Sequence, residues 1–124
     1  MSHKRKYTWF TILLFALLLA PACSDDAGDG GADLPEVDCM TVPAFGELAL
    51  FASCTGCHST ALEPAMRNAA PVGVDYDNYD DAVANAERGV VRVFANTMPP
   101  GGAGFIPEAD REAFYNWALC GTPQ

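Results

Sequence analysis

An all-α fold is predicted for residues 37–124 of this 124-residue chain, on three observations. Apolar residues recur there at three- and four-residue intervals. Residues that suit helix ends, Pro43, Asn78 and Pro107 at starts and Gly121 at a stop, bracket those intervals. No stretch sets strands against helices in alternation. Apart from the first 36 residues, nothing divides the chain into repeats or a second domain, so the expected organisation is 1–22, 23–36 and 37–124.

Residues 1–22 read as a signal peptide. Lys4, Arg5 and Lys6 give a basic start, Tyr7 to Ala20 form an apolar run, and Ala20-Pro21-Ala22 precede Cys23. The run is too short to span a bilayer comfortably. Ala-x-Ala suits cleavage by an ordinary signal peptidase after Ala22. Leu19-Ala20-Pro21-Ala22-Cys23 also looks like a bacterial lipobox cut at the same bond, with Ala20 where Leu is usual. Beyond it, Ser24 to Glu36 has no apolar periodicity and reads as a disordered acidic tether spanning about 20 Å as a flexible coil.

Removing residues 1–22 leaves four Arg and no Lys against sixteen Asp and Glu, so the formal charge falls from −9 to −12. Such a surface disfavours nucleic acid and anionic headgroups. It serves as a generic solubility surface or attracts a partner with a basic docking patch, in association that weakens with salt.

The first helix is expected from Pro43 to Cys54, with Phe45, Leu48, Ala49 and Ala52 at i, i+3, i+4 and i+7. It runs into Cys54-Thr55-Gly56-Cys57-His58, two thiols three apart followed at once by an imidazole. That order is the attachment signature of c-type haem. At a helix end the spacing puts both sulfurs on one side of the backbone, where they can add to two vinyl groups of one porphyrin while His58 turns toward the iron. The same residues also suit a dithiol redox pair or half a zinc site. Over roughly the last 88 residues the chain resembles the class I cytochrome c family. The resemblance implies a cytochrome c fold: three main helices around one covalently attached haem, with the N- and C-terminal helices crossing.

Ser59 to Asp77 carries little periodicity and is expected to be the loop that wraps the His58 side of haem. By the resemblance, a proline carbonyl there accepts from the second ring nitrogen of His58, Pro71 ahead of Pro64. The second helical region starts near Asn78, with Asp80 and Asp81 in its first turn. Ala82, Val83, Ala86, Val90 and Val93 form its apolar stripe, and Gly89 marks a break or kink. It leads into Asn96-Thr97-Met98-Pro99-Pro100-Gly101-Gly102. The proline disfavours helical geometry at Met98, and the family places its second iron ligand in such a segment. Met98, 40 residues beyond His58, has enough chain to reach the opposite haem face. Met66 is too near His58, and Met40 precedes the first helix.

Pro107 opens the last helix, with Phe114, Trp117 and Ala118 on one side and Gly121 as its stop. The ending Trp117 to Pro123 resembles the C-terminal helix of bacterial cytochrome c domains. There Phe114 or Trp117 would pack against Gly46, eight residues before Cys54.

With Cys54 and Cys57 assigned to haem, Cys39 and Cys120 are a natural disulfide pair in an oxidising compartment, flanking the first and last helices. The bridge would close an 81-residue loop, worth on the order of 4 kcal/mol on a loop-entropy basis. Cys23 is left over, as the lipid-bearing residue of a lipoprotein, a free cysteine or an intermolecular bridge. Arg67, Arg88 and Arg92 are candidate partners for haem propionates or ordinary surface charges.

The expected function is one-electron transfer by a haem c with His58 and Met98 as axial ligands, on the periplasmic side of a bacterial membrane. Partners would be redox proteins or a larger electron-transfer complex. Should Met98 not bind iron, an open sixth position would permit peroxidase-like or gas-sensing chemistry. A haem-free thiol oxidoreductase is the remaining alternative.

Overall fold

The computed structural model describes residues 34–124. The expected signal peptide, Cys23 and nearly all of the tether lie outside the described residues. Among those described the fold is all-α: helices α1 (Phe51–Cys54), α2 (Tyr79–Ala84), α3 (Ala86–Phe94) and α4 (Glu108–Leu119), with 3-10 turns at Phe45–Glu47, Pro64–Met66 and Ala103–Phe105 and no β-strand. No helix among them is long and apolar enough to cross a membrane.

The first predicted helix is shorter than expected. A 3-10 turn, in which the Glu47 carboxylate accepts from the Ala44 N–H at 2.8 Å, gives way at Leu48 to extended backbone before α1 begins. Burial explains the break. Leu48, Leu50 and Phe51 are all buried whereas Ala49 and Ala52 are exposed. In one unbroken helix those three would spread over about 160°, wider than an ordinary apolar stripe. Opening the chain at Leu48 lets all three face the core.

α2 begins as expected, the Asn78 side chain accepting from the Asp81 N–H at 3.1 Å. The break in this region is at Asn85 instead of Gly89. Asn85 leaves helical geometry and its side-chain amide donates to the Gly73 carbonyl at 3.0 Å and the Asp81 carbonyl at 2.8 Å. Ala82, Ala86, Val90 and Val93 are buried along one stripe, and Val83, at the edge of that stripe, is exposed. Gly89 sits inside a continuous α3 for a packing reason. A Cβ there would lie 2.6 Å from the Tyr76 hydroxyl and 2.9 Å from the Phe114 ring.

α3 and α4 end in the same way. Gly121, at φ +105°, follows α4, and the Thr122 N–H donates to the Trp117 carbonyl at 2.9 Å. Asn96, at φ +59°, follows α3, and the Thr97 N–H donates to the Arg92 carbonyl at 2.9 Å. Both are Schellman closures with a left-handed residue after the cap.

The core is an aromatic cluster at the base of α4. Trp117 and Phe114 are fully buried and pack on Phe51, with ring centroids 5.6 and 5.7 Å away. Phe45 joins Trp117 at 6.0 Å. The expected aromatic packing on Gly46 is absent, because the opened chain turns Gly46 to solvent with nothing within 4 Å of a Cβ built there. Its neighbours Phe45 and Phe51 make the contact instead. The chain ends are tied beside this cluster by the Cys39–Cys120 disulfide, with Cα atoms 5.4 Å apart. The Phe45 N–H donates to the Pro123 carbonyl at 3.0 Å, and the Trp117 indole N–H donates to the same carbonyl at 2.8 Å.

Candidate functional site

α1 ends in the Cys-x-x-Cys-His segment, which folds back on itself as the His58 N–H donates to the Cys54 carbonyl at 2.9 Å and the Cys57 N–H to the same carbonyl at 3.1 Å. Cys54, Cys57 and His58 thereby line one side of a cavity of about 270 Å³. Leu50, Val74, Val93, Ile106 and Phe114 supply apolar wall, and Met98 with Pro99 and Pro100 also lines it. Chain segments far apart in sequence therefore bring Cys54, Cys57, His58 and Met98 to one largely apolar space.

His58 is oriented by its second nitrogen. Nδ1 lies 2.8 Å from the Val74 carbonyl. A carbonyl only accepts, so Nδ1 is the donor of this bond, and Nε2 is the nitrogen left over for a metal. The acceptor is thus Val74, neither Pro71 nor Pro64. The Pro71 carbonyl accepts instead from the Arg67 guanidinium at 2.8 Å and from the Val74 N–H at 3.4 Å. A T-shaped contact with the Tyr76 ring, centroids 5.6 Å apart, holds the imidazole from the side.

Cys54 and Cys57 are free thiols. Burial pushes the Cys54 thiol up to about 12, and it donates weakly to the Leu50 carbonyl at 3.6 Å. At neutral pH such a group is almost wholly protonated, whereas thiol–disulfide exchange needs thiolate. Among the described residues, no group of three or more His, Cys, Asp or Glu side chains is placed to hold a metal ion.

Met98 is 38 % exposed, and its N–H donates to the Arg92 carbonyl at 3.1 Å. The segment is closed by Asn96, whose side-chain oxygen accepts from the Ala103 N–H at 2.6 Å. Gly102, at φ +94°, lies so close to Asn96 that a Cβ would meet its amide at 2.8 Å. Met66 and Met40 are strongly exposed and do not line the cavity.

The three arginines separate. Arg88 and Arg92, one turn apart on α3, line the cavity and are exposed to solvent. Arg67 is neither a surface charge nor available to a propionate. It is 2 % exposed and paired with the equally buried Asp75.

Sequence reasoning missed Val74, Asp75, Tyr76 and Asn96. Asn96 had a signal, since Asn just past a helix end readily takes the left-handed conformation. The other three sit in a segment without periodicity, and their placement is decided by the Arg67 side chain eight residues upstream of Asp75.

The donor set and the walls fit a haem. Two thiols and an imidazole whose Nδ1 is tied to a carbonyl share the cavity with a thioether and apolar carbon, and two guanidinium groups with no ion-pair partner among the described residues also line it. No protein-family model, curated protein or solved structure matches the chain.

Proposed function

We propose that this chain is a one-electron carrier with a single covalently attached c-type haem, in a class I cytochrome c arrangement. The observation that carries the proposal is the convergence of Cys54, Cys57, His58 and Met98 on one apolar cavity, with His58 Nδ1 tied to a backbone carbonyl. Held there, haem supplies a one-electron couple, and histidine–methionine ligation favours a relatively high potential. The chain's residues do the rest. Cys54 and Cys57 retain the group covalently, His58 offers Nε2, and Met98 offers its sulfur from the Pro-Gly segment. Leu50, Val93, Ile106 and Phe114 keep water from the site, and Arg88 and Arg92 receive carboxylates at its edge.

The acidic surface supports a partner with a basic docking patch, either a mobile redox protein or the rest of a larger complex. The leader and Cys23 support export and a lipid anchor on the periplasmic side of a bacterial membrane. The raised Cys54 thiol weighs against the thiol oxidoreductase. An open sixth position, with peroxidase-like or gas-binding chemistry, is the second reading, favoured by the exposure of Met98.

Expression of the full chain in a host with c-haem maturation machinery, followed by oxidised and reduced visible spectra, separates these. The carrier gives a reduced c-type band and a weak methionine–iron band in the oxidised form, the latter lost in Met98→Ala. Covalent haem lacking that band in the wild type moves the assignment to the open-site enzyme or sensor. No covalent haem in the wild type overturns both.

A further inference from the structure

Buried charge is uncommon and costly unless it is paired and hydrogen-bonded. Arg67 and Asp75 are the buried charged side chains of the described residues, and they lie in the irregular segment beside His58. The Arg67 guanidinium donates to four acceptors: the Ser59 carbonyl at 2.7 Å, the Ala70 carbonyl at 3.2 Å, the Pro71 carbonyl at 2.8 Å and the Asp75 carboxylate. Those acceptors belong to the residue after His58, to the middle of the loop and to the residue after Val74. One planar fork thereby joins both ends of the 59–77 loop, a task that suits Arg and not Lys.

Next to this clasp the two chain segments are stitched in register. The Tyr76 N–H donates to the His58 carbonyl at 3.0 Å. The Ser59 hydroxyl donates to Asp77 at 2.7 Å, and the Thr60 N–H at 2.9 Å. The Val74 carbonyl that accepts from His58 sits between Gly73, whose carbonyl is held by Asn85, and Asp75, held by Arg67.

We propose that Arg67 and Asp75 are positioning residues for His58: the buried pair fixes the Val74 carbonyl on which the His58 Nδ1–H rests, and so sets how strongly Nε2 donates to iron. The proposal builds on the haem reading above. A firm Nδ1–H bond makes the imidazole a better donor and favours oxidised iron. Loosening it raises the midpoint potential. A pair that only stabilised the loop would lower the resistance to unfolding and, in the charge-conserving Arg67→Lys, leave the potential and the Nδ1 exchange alone.

The test uses the haem-loaded full chain, with Arg67→Lys and Asp75→Asn as variants that stay close to the native side-chain size. Tyr79→Phe serves as a control, because it removes a hydrogen bond to the Thr122 carbonyl away from the loop. Midpoint potential and solvent exchange of the His58 Nδ1 proton, followed by nuclear magnetic resonance, are the readouts. Both clasp variants are expected to raise the potential and to speed exchange roughly tenfold, while Tyr79→Phe changes neither. Unchanged potential and exchange in the clasp variants overturn the proposal. So does a wild-type Nδ1 proton that exchanges without protection, a measurement that stands even where a variant does not mature. A wild type with no covalent haem overturns the haem reading and this inference with it, and the wild-type spectrum alone identifies that case.

Discussion

The two sides of the cavity are built by different means. On the His58 side, irregular backbone is held by a buried ion pair, by backbone carbonyls that converge on one guanidinium, and by the Asp77 clasp. On the Met98 side, a Pro-Gly segment hangs from the end of α3, held by Asn96 and the Arg92 carbonyl, with Met98 partly exposed. The difference teaches that absence of secondary structure says little about rigidity. A loop whose polar groups meet inside the protein is fixed, and one whose polar groups meet at its edge is free to adjust. For the proposed carrier this means a fixed histidine and an adjustable methionine.

Three substitutions probe that contrast. The largest effect is expected for Arg67→Met, which leaves Asp75 buried without its partner and should cost about 3–5 kcal/mol in urea unfolding. A loss as small as that of a surface substitution would show the His58 side to be no better fixed than the other. Asn96→Ala comes next. It leaves the Ala103 N–H without its acceptor and replaces, at positive φ, a residue whose polar side chain tolerates the left-handed conformation with one that does not, at a cost of about 1–2 kcal/mol. Amide exchange should accelerate at Met98, Gly101 and Gly102 and stay unchanged at 74–77; acceleration in both would mean that the two sides are coupled.

The smallest effect is electrostatic. Slight burial pushes Asp77 upward, but hydrogen bonds from Ser59 and Thr60 outweigh it and hold the carboxyl below the usual aspartate range. A carboxyl depressed in the folded state contributes stability above the ordinary aspartate range and loses it as pH falls through the folded value. Asp77 is exposed, so solvent screens most of this contribution. Wild type should be slightly more stable than Asp77→Asn at neutral pH in urea unfolding, with the gap closing in acid. A gap that widened in acid would contradict the clasp.

Legibility followed the range of the forces involved. The start of α2 at Asn78 and the run from Pro107 to Gly121 were readable because caps and stops act within four or five residues. The pairing of Cys39 with Cys120 was readable because the count left few choices. The first helix was overextended, since a period of apolar residues does not reveal that Leu48, Leu50 and Phe51 must all reach one core. Gly89 reads locally as a helix breaker but is a point of close approach, because Tyr76 and Phe114 come to it from elsewhere in the chain. The acceptor for His58 was misplaced for the same reason: which carbonyl faces the ring depends on where Arg67 draws the loop.

By itself, the sequence determined an all-α class, the local helix boundaries at Asn78 and Pro107, and a set of candidate ligands in Cys54, Cys57, His58 and Met98. These follow from residue chemistry and short-range backbone preference. Only the tertiary structure decided that those four line one cavity, that the Val74 carbonyl accepts from the His58 Nδ1–H, and that Arg67 is sealed inside with Asp75. The first two join segments distant in sequence, and the third is made within one irregular loop, across eight residues. Such contacts are chosen by burial of the whole core, where apolar surface must be covered and every enclosed polar group must find a partner.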